Sequence, residues 1–576
     1  MIGRSNTFFL PALAVWAGGL GWVLSLDDPR LRYLPFLGGW LLLVLGQAGL
    51  VWTRPHGRRL AAAIVVLVLG RVWAWSLTPA FSDDVFRYVY EGRLALWAGP
   101  LFPYLHPPAA GPELGVPAAL LDRWWLRINH AELATVYPVG ALGLFVAGAG
   151  LGQVAFGATL GALKLLFLGA DLALWRALHL RDPRAGLVWG ASPLVILEGA
   201  REGHVDVVAA LGLGLGALAL LRGRDPSGGP GARPGRAWTA FMGAGLVKMN
   251  GFVLTPLLAR IDPRGSWRLL PGLLLLALPF VLTAGDDSGL GAYATRWRAG
   301  DGAFSVLLVA AEGVLGGDWA RFELGGQVLT ITRHQLARAL TGGLFAALYG
   351  LMLVRPRAWL GGTGALQPAD GVPLAGSLFT FLLLLAPTLH PWYLLWLVPF
   401  VALGPFPGRG AAVWLISSAA LLHHPGWREL VTGHWVEWES LRFAVHAPAW
   451  ALLIVGRLRP FFDGPRFRRS LAVLGVGGLL GGCGAEAPEP TYWDHDAWSV
   501  GLWAEDPWLD HAPEDPGCVA PVFGIGGEAS EERFLDVVTG ACGFFSGRQP
   551  LGRALRAGDR LELTYFYSDL VVPPPA

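Results

Sequence analysis

Two adjacent carboxylates, Asp83 and Asp84, open the stretch of this chain best equipped for chemistry, Ser82-Asp83-Asp84-Val85-Phe86-Arg87-Tyr88, with Glu91 and Arg93 close behind. They follow directly on a hydrophobic run. Charge at a bilayer boundary is costly and marks a site more often than it decorates a surface. A carboxylate within hydrogen-bond reach of a hydroxyl can take its proton as general base, and a neighbouring carboxylate in a different environment can take a different role. The competing reading is a pair of helix N-cap residues. Arg87, Glu91 and Arg93 follow at near-helical steps, so they can share a face with the dyad. The two arginines either meet an anion or pair with Glu91.

Further chemistry-bearing side chains are scattered through apolar sequence. His204 and Asp206 lie in Arg201-Glu202-Gly203-His204-Val205-Asp206, and His390, Trp392 and Tyr393 in Leu389-His390-Pro391-Trp392-Tyr393. Lys248 interrupts an apolar run at Lys248-Met249-Asn250-Gly251, where a lone ammonium needs an anionic partner such as a phosphate. Lys164 is a phosphate ligand or a snorkelling lysine. Trp392 and Tyr393 contact substrate or belong to an interfacial aromatic belt. Two histidines and an aspartate could hold a divalent ion, but they come from distant loops without ligand spacing. The expectation is no metal and no required cofactor.

The elements that must position these residues are membrane helices. Of 576 residues, 53% are hydrophobic and 15% charged, and apolar runs of ~20 residues, enough to span ~30 Å of hydrocarbon, recur as far as Arg469. The expected fold is an all-α polytopic membrane protein with about 12 or 13 spans, re-entrant segments and a large first outer loop. Basic loops such as Thr53-Arg54-Pro55-His56-Gly57-Arg58-Arg59 and the run from Arg176 to Arg184 are assigned to the cytoplasm, which sets the Asp83–Asp84 loop on the opposite face. Spans are expected at 7–26, 33–53, 60–78, 160–178, 186–202, 205–221, 268–284 and 335–354, with four more near the C-terminal side. Residues 137–152 are expected to form an interfacial or re-entrant helix, and Tyr137-Pro138 to shape its start. Residues 238–259 are expected to be two half-helices meeting at Lys248–Gly251, since a single crossing would put Arg260, Arg264 and Arg268 on the wrong side. No basic tract suits a nucleic acid.

Composition changes after residue 469. The segment 470–483 is a short apolar run ending Gly481-Gly482-Cys483, which resembles a bacterial lipoprotein signal with Cys483 as the lipidated residue; the alternative is a thirteenth helix. Residues 484–576 are acidic and strand-like in pattern, and are expected to form a small β-rich extracytoplasmic domain. Cys518 and Cys542 would pair there as a disulfide in an oxidising compartment.

The motifs of the long loop, SDDVFRYVYEGR followed by INHAELATVYP, carry a resemblance. With Glu198…Gly203-His204-Val205-Asp206, Leu246-Val247-Lys248 and Leu389-His390-Pro391-Trp392-Tyr393, they resemble the bacterial mannosyltransferase-like group of the GT-C superfamily of polyprenyl-phosphate-sugar-dependent glycosyltransferases. The resemblance covers roughly residues 60–400. Phe102, Ala131, Ala134 and Val139 depart from its pattern. It implies a multi-pass enzyme of the bacterial cytoplasmic membrane that moves a hexose, mannose by kinship, from a polyprenyl-phosphate donor to an extracytoplasmic glycan or lipid acceptor. Asp83 or Asp84 would be the base, and Arg87, Glu91, Arg93, Lys164, His204, Asp206, Lys248, His390, Trp392 and Tyr393 would bind substrate. A transporter or flippase for a lipid-linked sugar intermediate is the alternative, suggested by the interrupted helix.

Overall fold

Uncharged runs rich in Leu, Val, Ala and Gly fold here as helices whose backbone polar groups are satisfied within the segment, which is what a hydrocarbon environment demands. The computed structural model describes residues 7–404 apart from 27–28, 30–31, 157, 222–233, 283–288, 318, 325–326 and 361–365. Beyond residue 404 it describes 446–447, 451, 522–526, 533–538 and 546–551. The chain divides into two units, one made of residues 1–432 and 436–486, the other of 433–435 and 487–576.

Among the described residues five helical stretches are long and apolar enough to cross a bilayer: Tyr33–Thr53, Gly57–Ser76, Pro263–Leu282, Arg333–Val354 and Pro368–Leu385. The chain is a largely helical, multi-pass membrane protein. Shorter apolar helices include Phe9–Leu24, Val139–Ala155, Asp206–Leu221 and Ala303–Leu315. The Phe9–Leu24 and Tyr33–Thr53 helices pack closely; a Cβ on Gly46 would meet the backbone of Trp16, the small-residue contact that lets helices approach in lipid.

A buried ion pair fixes the interior of this half. Arg71 Nε lies 2.7 Å from Asp171 Oδ2, and Arg71 Nη1 donates to the Gly190 carbonyl at 2.7 Å. Trp189 Nε1 donates to Asp171 Oδ1 at 2.7 Å, and the guanidinium lies 4.6 Å from the Trp175 ring centroid. Three helices, Gly57–Ser76, Thr159–Arg181 and Pro183–Gly190, therefore meet on one charge pair whose two members are almost fully buried.

The long loop begins with the Asp84–Ala98 helix, which packs against Val139–Leu151. Gly92 permits that approach, because a Cβ there would strike the Phe145 carbonyl. Residues 99–138 run as short turns over Tyr90, Leu94, Val116 and Ile128. The expected broken helix is present as Pro234–Lys248, Asn250–Val253 and Thr255–Ile261. Its break is Met249, at φ 55°, a left-handed conformation that costs a side-chain-bearing residue ~1–2 kcal/mol. Trp238 Nε1 donates to Asp262 Oδ2 at 3.0 Å, so the segment returns to the level at which it started.

Three expectations are corrected. The span expected at 186–202 is a short α-helix, Pro183–Gly190, followed by a π-helix, Val195–Arg201, because Pro193 cannot donate to the helical ladder. Residues 319–332, read without strands, form an antiparallel hairpin, Trp319–Leu324 with Gln327–Thr332. Of the four spans expected near the C-terminal side, the second, expected to re-enter directly after Leu389, begins not as a long helix but as a 3-10 turn, Pro391–Trp396, leading into Val398–Leu403. The last two expected spans, the segment 470–483 with Cys483, and Cys518 and Cys542 lie outside the described residues, apart from residues 446–447 and 451. In the second unit the described residues are three antiparallel strands, Val522–Gly526, Arg533–Val538 and Ser546–Leu551.

Replacing Asp171 by Ala leaves the Arg71 charge buried without its carboxylate. The expected loss is about 3–5 kcal/mol, read as a lowered unfolding midpoint in detergent; a change within ~0.5 kcal/mol would mean that the pair does not hold these helices together.

Candidate functional site

Four segments far apart in sequence bring titratable side chains together. Asp84 is the first residue of the Asp84–Ala98 helix. His204 and Asp206 sit on the turn between the π-helix and Asp206–Leu221. Lys248 ends the first half-helix of the broken segment, where a cation complements the helix dipole. His390 precedes the Pro391–Trp396 turn.

Lys248 Nζ lies 3.3 Å from Asp206 Oδ2, and Asp206 Oδ1 accepts from Trp396 Nε1 at 2.9 Å. The ammonium also lies 5.0 Å from the Tyr137 ring centroid and 5.6 Å from that of Tyr393. The anionic partner that the sequence demanded for Lys248 is thus supplied from within the chain. His204 Nε2 is 3.3 Å from Glu198 Oε2, and its Nδ1 makes no hydrogen bond among the described residues. Its ring stacks on Trp392 at 3.9 Å between centroids, and His390 stacks on Trp392 at 4.4 Å with planes 3° apart. Trp392 is buried and carries two imidazoles, so it is not part of a lipid-facing belt. Tyr393 shares a 2.5 Å hydroxyl–hydroxyl contact with Tyr293.

Asp84 faces this cluster. Asn129 Nδ2 donates to it at 3.4 Å and Tyr137 Oη at 3.5 Å. Burial pushes its carboxyl upward, but the charges of His204, Lys248 and His390, with the Asn129 bond, prevail and hold it below the ordinary carboxylate range. Asp84 is therefore an ionised acceptor at neutral pH. Asp83 turns another way: its Oδ1 is 3.7 Å from Arg127 Nη2, and the same guanidinium lies 4.1 Å from the Phe86 ring centroid. The two carboxylates are adjacent in sequence and divided in space.

Arg87, Glu91 and Arg93 occupy the expected helix but brace the loop. Arg87 Nη1 is 3.3 Å from Glu91 Oε1, and Arg87 donates to the carbonyls of Leu133, Asn129 and His130. Glu91 Oε2 accepts from Thr135 at 2.7 Å; burial nevertheless raises its carboxyl to about 6, against Arg87 and Thr135. Arg93 pairs with Asp122 at 2.6 Å and bonds the Ala119 carbonyl. Lys164 is buried and donates to the Leu77 carbonyl, so it neither snorkels nor joins the cluster. Asn129, Tyr137, Glu198 and Trp396 are cluster members absent from the expected set. Asn129 and Glu198 lie inside motifs that sequence singled out, whereas Trp396 gave no signal. Among the described residues no group of three or more His, Cys, Asp and Glu could hold a metal ion.

Replacing Lys248 by Met orphans a buried carboxylate at Asp206. The expected destabilisation is about 3–5 kcal/mol, and adding Asp206→Asn should recover most of it. Thermal unfolding of the two variants checks this, and equal midpoints would show the ion pair to be idle.

No family model matches the chain, and neither a curated protein nor a solved structure does; the chemistry rests on the residues themselves.

Proposed function

We propose that this protein is a glycosyltransferase of GT-C type, in a bacterial cytoplasmic membrane, that moves a hexose from a polyprenyl-phosphate donor to a glycan or lipid acceptor on the extracytoplasmic side. The observation that carries the proposal is the convergence, from four separate segments, of Asp84 with His204, Lys248 and His390, which together hold its carboxyl below the ordinary range. A bilayer protein maintains such a set of charges at a cost, and this set suits proton abstraction beside a developing anion. The distribution of basic loops supports the sidedness.

The donor's anomeric carbon already bears a phosphate leaving group. Asp84 accepts the proton of the acceptor hydroxyl. The new bond joins that oxygen to the anomeric carbon, and the carbon–oxygen bond to phosphate breaks with its electron pair leaving on the phosphate. Attack from the face opposite the phosphate inverts the anomeric centre. Charge appearing on the phosphate is stabilised by preorganised cations and hydrogen-bond donors, for which His204, His390 and Lys248 are the nearest candidates. Mannose is the sugar suggested by the loop motifs. The broken helix at Met249 favours, as a second reading, a flippase for a lipid-linked sugar, because interrupted helices are common in transporters. Carrier movement between leaflets without sugar transfer would select that reading.

Purified protein supplied with radiolabelled polyprenyl-phosphate hexoses and a membrane-glycan acceptor tests the proposal. Asp84→Asn should lower turnover by at least ~10²-fold, while Asp83→Asn should lose less than ~10-fold. Because the folded Asp84 is depressed, base function is present above its pKa and is lost only as pH falls through that low value. Turnover should therefore show no acid limb from this group near neutrality. Unchanged turnover in Asp84→Asn would end the proposal.

A further inference from the structure

The segment that leads into the dyad is held by a carboxylate from elsewhere in the chain. Glu202 is almost completely buried. Its Oε2 accepts the backbone N–H groups of Ala80 at 3.0 Å, Phe81 at 2.8 Å and Ser82 at 3.1 Å, and Oε1 accepts the Ala80 N–H again at 3.1 Å. Three successive N–H groups, part-buried at Ala80 and buried at Phe81 and Ser82, need acceptors, and a carboxylate makes the stronger, charge-assisted bond. Arg201 Nε stands 3.7 Å from Glu202 Oε1. Lys164 secures the start of the same segment at the Leu77 carbonyl.

The next residue, Gly203, has φ +74°, and a Cβ on it would lie 3.0 Å from Lys164 Cγ and 3.4 Å from Val85 Cγ2. The turn therefore presses directly against the residue that follows Asp84. His204 and Asp206, both electrostatic neighbours of Asp84, come next on that turn. A single short turn thus grips the backbone before Asp84 and carries two of the groups that Asp84 faces.

We infer that Glu202 is the positioning residue of the site, fixing the Ala80–Ser82 backbone so that the Asp84 carboxylate stays in register with His204 and Asp206. It touches no reacting atom. The inference builds on the transferase reading, in that Asp84 is the base, but its first test needs no transfer.

Infrared pH titration of the whole protein in nanodiscs, with the Asp84→Asn spectrum subtracted, isolates the Asp84 carboxyl. The groups acting on it are His204, Lys248, His390 and Asn129, with Asp206 and Glu91 as neighbouring anions. Glu202→Gln should move its titration upward by about one unit, since losing register with the cations leaves burial to act alone. In the transfer assay the same variant should lose about 10²-fold in kcat with donor KM within about threefold. Glu202→Asp, which keeps the charge on a shorter arm, should recover roughly tenfold of that loss; it also replaces the Gln variant if that one fails to fold. An unshifted Asp84 titration overturns the inference, as does a raised KM with unchanged kcat. If wild-type protein transfers no sugar yet Glu202→Gln shifts Asp84, the transferase reading falls and the positioning role stands.

Discussion

Charge buried in a low-dielectric scaffold must be paired, and this constraint organises the molecule. A lone ionised group in such surroundings costs several kcal/mol even after relaxation, so these deeply set basic groups lie beside carboxylates. Arg71 recruits Asp171, Lys248 recruits Asp206, His204 meets Glu198, and Arg201 meets Glu202. The Arg71–Asp171 and Lys248–Asp206 pairs join elements that hydrophobic packing alone would leave free to slide, because apolar side chains meet lipid tails as readily as one another, whereas the other two pairs are local to residues 198–204. The cost of burying charge is offset by specificity of arrangement.

The two halves of the fold use the constraint differently. Around Arg71 the pairing is closed: both partners are surrounded by helix, and indole and carbonyl groups complete the set. Around Asp206 it sits among aromatic rings and beside an aspartate that two of its own bonds, at 3.4 and 3.5 Å, hold only loosely. In the proposed reaction Asp84 exchanges a proton, and such a base has to be positioned without being saturated. Arg87, Glu91 and Arg93 let this happen by carrying the mechanical load of the loop, so the loop's shape does not depend on Asp84.

Much of the scaffold was legible in the sequence because lipid imposes a length and a polarity on each span. Tyr33–Thr53 and Arg333–Val354 follow directly from uncharged runs between basic ends. The break at Met249 was legible for a subtler reason: the arginines beyond it would otherwise lie on the wrong side. The grouping of His204, Asp206 and Lys248 with the acidic loop was also readable, since each is a charge where charge is expensive. The partners were not readable. Helical spacing places Arg93 on the face of its helix but says nothing of Asp122, which chain reversal brings to it. Nor does it name the partners that separate Asp83 from Asp84, because Arg127 on one side and Asn129 and Tyr137 on the other lie far along the chain. Glu202 drew no role from the sequence, and its contacts appear only when three backbone N–H groups are seen to converge on it. For Trp392 the sequence left substrate contact and an interfacial belt both open, because an indole near a span end is common in such belts, and its burial beside two imidazoles argues against the belt.

The account stands on the electrostatic coupling of Asp84 to Lys248 and to the imidazoles of His204 and His390, from three other segments. Its most direct measurement is the titration of the Asp84 carboxyl in the intact protein, compared with the same group after Lys248→Gln. Coupling predicts a wild-type value below the ordinary carboxylate pKa of about 3.9 and a rise when the ammonium is removed. A wild-type value above the ordinary one, unmoved by the substitution, would show that Asp84 and Lys248 do not share a site.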